Sequence, residues 1–176
     1  MKKQVWLLAA LSLLFLSACK PAAEPVWETV DDLDVVQTVG IQDTYTMVFD
    51  VPMDAVMDTA ATQSGRTVYE QKDGDYEIVC ETFPASGIEG IVRRLTGFEK
   101  DKLDVIETTR FGLPEYRFAW CSDSEEGSRV CRADVIFEAP YCYALTFSVR
   151  EDAASRYHST QEQTFASMSL FTDEGF

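Results

Sequence analysis

Tyr141-Cys142-Tyr143-Ala144-Leu145-Thr146-Phe147-Ser148-Val149-Arg150 is the stretch from which the fold can be read. Tyr141, Tyr143, Leu145, Phe147 and Val149 alternate with Cys142, Ala144, Thr146 and Ser148. A period of two places the first set on one face of a strand and the second set on the other. The first face is large and apolar. The second carries small side chains, which predicts close packing of a helix against it. A strand dressed on both faces belongs inside a layered domain, not at its surface.

Working outward, Ala139-Pro140 reads as a tight turn. Before it, Tyr116–Cys121 and Val130–Glu138 form a predicted hairpin around the acidic loop Ser122–Ser128. Leu103–Phe111 is a further strand, closed by Gly112-Leu113-Pro114. Ile88, Ile91, Val92, Leu95 and Phe98 recur at i, i+3, i+4 and i+7, so Ser86–Phe98 reads as an amphipathic helix. Ser86 and Glu89 match a capping box. Arg66–Gln71 and Asp75–Phe83 form a hairpin across Lys72-Asp73-Gly74, where Asp-Gly supplies a tight turn.

Met53, Val56, Met57 and Ala60 follow helical spacing, which predicts a short helix over 53–62 with its methionines in the core. A methionine stripe also suits an adaptable binding surface. Gln42–Val51 alternates as a strand and Pro52 ends it. After the central strand, Ala153, Tyr157, Thr164, Phe165 and Met168 give Asp152–Leu170 one semi-apolar face, predicting a final helix. The fold class is therefore α+β: an antiparallel β-sheet with helices packed on its faces.

The chain opens differently. Lys2 and Lys3 precede an uncharged apolar run, Val5–Leu16. A membrane-crossing helix needs about 20 apolar residues, and this run is shorter. It suits the h-region of a signal peptide. Leu16-Ser17-Ala18-Cys19 follows and resembles the lipobox of bacterial lipoproteins. The resemblance implies cleavage after Ala18, a diacylglycerol on the Cys19 sulfur and acylation of the new N-terminus. Two or more acyl chains anchor stably where one does not. The organisation expected is a signal peptide over 1–18, a lipidated cysteine and tether over 19–34, a single domain over 35–171 and an acidic tail over 172–176. The expected location is the cell envelope, outside the cytoplasm and held to a membrane by lipid.

The chain has 15 basic and 30 acidic residues, a formal net charge of −15. Loss of Lys2 and Lys3 makes the mature charge −17. That sign disfavours nucleic acid and anionic headgroups, both polyanions. The predicted partners are the membrane, through Cys19, and an envelope protein.

Cys80, Cys121, Cys131 and Cys142 remain after lipidation of Cys19. Their number is even and export permits oxidation, so disulfides are candidates. Four cysteines allow three pairings. A hairpin centred on Glu126 sets Cys121 opposite Cys131, which leaves Cys80 to Cys142. Four buried free thiols are the alternative.

Catalytic motifs are scarce. His158 is the single histidine, and it has no Gly-x-Ser-x-Gly elbow to serve. Phosphate-binding glycine loops are absent. Asp123, Glu125 and Glu126 do not follow the ligand order of a calcium loop. Glu77 and Glu81 share a strand face and are the one carboxylate pair worth testing as a hydrolytic couple. Tyr116, Trp120, Tyr141 and Tyr143 are either an aromatic binding face or core. Neither a cofactor nor a metal is expected, and no catalytic residue is assigned.

The order of elements, the strand Tyr141–Val149 and the run Phe165-Ala166-Ser167-Met168-Ser169-Leu170 resemble the PsbP-like group of small α/β/α sandwich domains, which includes lipoproteins of the DcrB type. The likeness covers about residues 42–171. It implies a non-catalytic accessory or assembly subunit. The expected function is thus a membrane-anchored, non-enzymatic binding or accessory domain. The alternatives are a carboxylate-dependent envelope hydrolase and a structural surface lipoprotein.

Overall fold

The structure, a computed structural model, describes residues 45–124 and 127–172. The signal peptide, Cys19, the tether, Glu125, Glu126 and the tail from 173 onward lie outside the described residues.

Seven strands form one antiparallel sheet in the order β2-β3-β4-β8-β7-β6-β5. They are β2 (Ala55–Met57), β3 (Arg66–Gln71), β4 (Tyr76–Pro84), β5 (Ile106–Arg110), β6 (Leu113–Ser124), β7 (Gly127–Glu138) and β8 (Tyr141–Arg150). The central strand spans the residues expected of it and lies between β4 and β7. Its two faces are dressed as its alternation requires. Tyr143, Leu145, Phe147 and Val149 join one core with Tyr76, Ile78, Cys80 and Ile136. Cys142 and Ala144 join a second core with Phe83, Phe118, Ala133 and Val135.

Helix α1 (Ile88–Thr96) closes the second core with Ile88, Ile91 and Val92. The small side chains of β8 are what let it approach. Gly97 ends the helix in the left-handed region at φ 77, a conformation that favours glycine. The start differs from expectation: Gly87 occupies the N-cap and no side chain caps the helix, so Ser86 and Glu89 form no capping box. Phe98, beyond Gly97, is exposed.

Helix α2 (His158–Ser167) lies over the first core with Phe165. The long final helix is thus corrected. Glu151–Ala153 is a single 3-10 turn, and Ser169–Phe171 is a strand, β9. That strand pairs antiparallel with β1 (Thr46–Val48), so the alternating N-terminal stretch builds a separate two-stranded ribbon. Met47, Phe49 and Met168 bring the ribbon into the first core.

Two further corrections concern turns. Residues 53–62 are not helical: Pro52 O accepts the Ala55 N–H in a turn, and Ala55–Met57 then pairs with β3. The β5–β6 connection is Phe111-Gly112, at φ 55 and 80. Leu113 and Pro114 already belong to β6. Positive φ at both central residues matches the twist of a two-residue hairpin.

Candidate functional site

The β6–β7 hairpin decides the cysteines. Its strands run almost to the tip, pairing Ser124 with Gly127, Trp120 with Cys131 and Cys121 with Val130. The register is one residue away from the expected one. A slip of one moves a side chain to the other face, so Cys121 and Cys131 point away from each other across the sheet. Cys80 pairs with Leu145 while Cys142 pairs with Phe83, and the two thiols sit in opposite cores. All four cysteines are free; Cys121 is exposed and the others are buried. Neither expected disulfide is present in this arrangement. Burial, with Glu81 adding to it, pushes the Cys80 thiol up to about 12 and raises Cys142 as well. Such thiols are inert packing groups.

The α1 side of the sheet carries a polar row beyond the helix. Glu70, Glu77, Ser148, Cys131 and Trp120 are successive cross-strand neighbours on β3, β4, β8, β7 and β6. The Cys131 thiol donates to Ser148 Oγ at 3.3 Å. Glu81 shares this face with Glu77, as the alternation predicts, but nearer α1. Its side chain is 12% exposed and lies 3.9 Å from Arg94, which also covers the Phe83 ring. Burial raises the Glu81 pKa, and Arg94 and Arg66 oppose the rise. Glu81 is therefore a desolvated carboxylate held by arginine, while Glu77 lies further along the strand in the polar row. Val79 separates them along the strand.

The other expected residues disperse. His158 is exposed at the start of α2. Asp123 accepts a hydrogen bond from the Ser128 hydroxyl across the hairpin. Tyr116 and Trp120 pack with the α1 core, Tyr141 and Tyr143 with the α2 core, so the four aromatics form no common surface. Among the described residues, no three His, Cys, Asp or Glu side chains come together as a metal site.

Two features remain, one that was not singled out from the sequence and one that was read there chiefly as core. The first is a buried charge network under α2. Arg110 Nε lies 2.7 Å from Glu115, Arg117 Nη2 donates to Glu115 at 2.9 Å, and Arg132 Nε donates to Asp134 at 3.1 Å. Glu115 and Asp134 are 1% and 0% exposed. Burial raises the Asp134 pKa against the pull of Arg132 and Arg117. Arg110 Nη1 also donates to Phe165 O and Met168 O, both at 3.0 Å. A cation here adds to the Met168 N–H that already reaches Phe165 O, and it complements the negative end of the helix. Arg117 and Asp134 are directly opposed across the β6–β7 hairpin. Charges of opposite sign at core-facing positions of two paired strands were the available signal.

The second feature is the β2 edge, which no other strand covers among the described residues. Met53, Val56 and Met57 are 57%, 50% and 47% exposed. The stripe of apolar residues that suggested a core helix is instead a surface on an edge strand.

No protein-family model matches the chain, and no curated protein matches it in sequence. Solved structures do match in fold. The cyanobacterial PsbP (CyanoP) of Synechocystis sp. PCC 6803 is similar over 84% of this chain and 100% of its own, at a TM-score of 0.52 and 13% identity. LpqN, described as involved in cell envelope biogenesis of Mycobacterium tuberculosis, is similar over 75% of this chain and 87% of its own, at 0.51 and 11% identity. At such identities the likeness concerns the fold, and the fold is PsbP-like. No helix among the described residues is long and apolar enough to cross a membrane.

Proposed function

We propose that this chain is a lipid-anchored, extracytoplasmic accessory domain that binds a partner protein without catalysing a reaction. The anchor is Cys19. The exposed Met53, Val56 and Met57 along the open β2 edge carry the reading. An open strand edge lined by exposed apolar side chains is a template for pairing with another chain, and methionine adapts to varied partner shapes. The PsbP-like fold supports this reading.

The test is crosslinking and recovery of the full-length protein from its native membranes, beside Cys19→Ala and Val56→Asp variants. Val56→Asp loses the partner seen with wild type, and Cys19→Ala recovers less of it. A complex that withstands Val56→Asp sinks the β2 surface as the docking site.

A further inference from the structure

We propose that β2 receives an extended, positively charged segment of the partner as an added strand of the sheet; this rests on the reading of the β2 edge as the docking surface. Three observations converge on that occupant.

The first is backbone polarity. The Asp58 N–H donates to Val68 O, and the Lys72 N–H donates to Asp54 O. Residues 54, 56 and 58 therefore bond inward to β3. In an antiparallel ladder the alternate residues bond outward. Pro52 O already takes the Ala55 N–H, which leaves the Ala55 carbonyl and both backbone groups of Met57 facing away from the sheet. The second is side-chain placement. Val56 opposes Glu70 and Met57 opposes Tyr69, so the two exposed apolar side chains lie on opposite faces of the edge. An incoming strand meets an apolar neighbour on each face, as strand addition requires.

The third is charge. Asp50–Asp58 contains Asp50, Asp54 and Asp58 and no basic residue. Asp54 Oδ1 accepts the Tyr76 hydroxyl, and Asp58 Oδ1 accepts the N–H groups of Ala60 and Ala61, so both carboxylates are held in place. Among the described residues, none of these three aspartates and neither oxygen of Glu70 pairs with a lysine or arginine. An edge bearing uncompensated carboxylates selects a cationic segment. It also repels a second copy of itself, since two β2 edges laid together oppose like charges. The far edge, β5, also exposes apolar side chains, Ile106 and, in its turn, Phe111, beside the exposed polar residues Glu107, Thr108 and Thr109.

The experiment uses residues 20–176 and two blocked synthetic peptides of alternating valine and threonine. One has two lysines at each end and the other has glutamates there. Amide hydrogen exchange at Met57 and binding at rising salt are measured. The lysine peptide slows Met57 N–H exchange by about tenfold or more, and its binding weakens with salt. The glutamate peptide does not bind. Met57→Pro removes an outward donor and none of the inward bonds, and it abolishes binding; its fold is checked by near-ultraviolet circular dichroism, and the wild-type exchange decides the matter if it fails to fold.

Absent binding of the lysine peptide, or equal binding of both, overturns the proposal. So does binding that leaves Met57 exchange unchanged, which means side-chain packing alone, or a self-association that Met57→Pro abolishes, which means a second copy. If Val56→Asp loses the membrane partner while Met57→Pro keeps it, strand addition fails and the docking surface stands. If both variants keep it, the surface fails too.

Discussion

At the scale of single residues, Arg110 has the largest structural task. It faces Glu115, it lies 4.0 Å from Asp134, and it satisfies two carbonyls at the end of α2. Removing one member of a buried ion pair leaves a charge without compensation and costs about 3–5 kcal/mol. Arg110→Met is expected to lose stability in that range by urea denaturation. The Arg110→Met/Glu115→Leu double variant recovers part of it, because the stranded carboxylate is gone; an additive loss in the double variant shows that the two do not interact. Glu81 gives a prediction in pH. Its folded pKa is raised by burial, so its contribution to stability is fully present below its unfolded value near 4.3 and is lost as pH rises through the folded value. Glu81→Gln removes that dependence. The stability of the variant relative to wild type therefore rises between about pH 4 and pH 8, read as the shift in urea midpoint at each pH; a relative fall contradicts the desolvated carboxylate. Arg110 did not stand out in the sequence, and Glu81 did so only as one of a carboxylate pair with Glu77, not as a desolvated group. An arginine or a glutamate in a strand reads as surface until the strand opposite is known, and Glu81 reads as one tooth of an ordinary alternation.

Among elements, legibility followed the number of residues that agree. The central strand β8 and the β3–β4 hairpin match their expected spans because alternation, turn chemistry and length all concur. The stretch from Met53 to Ala60 matched helical spacing with four residues only. A pattern that short is shared by a turn, an edge strand and a helix, and Pro52 together with the pairing to β3 decided it. The final helix was overextended for a related reason: Met168 and Leu170 are apolar in either state, and their partner, β1, lies more than a hundred residues away in the chain. The same contrast separates two methionines. Met47 sits in the β1–β9 ribbon and is fully buried, whereas Met57 is half exposed. Met47→Ala is expected to cost about 2–5 kcal/mol. Met57→Ala, at the surface, stays within about 0.5 kcal/mol. Thermal or urea denaturation of the two variants checks this, and equal losses would mean that the ribbon is not part of the core.

The whole molecule combines a strongly negative domain with a greasy N-terminus, and the two ends of that description pull in opposite directions. The charge of −15, which becomes −17 on the cleavage after Ala18 that we propose, repels anionic headgroups. Lipid on Cys19, as we propose, overcomes that repulsion through acyl burial worth about 0.8 kcal/mol per methylene. Attachment and recognition are then separate jobs: the lipid fixes the protein to the membrane, and the acidic β2 edge remains free for a cationic strand because the domain does not lie down on the bilayer. The separation has a direct consequence in flotation through a density gradient. The mature lipidated protein floats with vesicles whether they are zwitterionic or contain anionic lipid. Residues 20–176, or the Cys19→Ser chain, stay at the bottom with both, and lowering the salt makes them avoid anionic vesicles further, since the repulsion is then screened less and reaches farther. Flotation of the unlipidated domain with anionic vesicles would mean that a membrane-binding face exists on the domain itself, and the division of labour between anchor and edge would have to be given up.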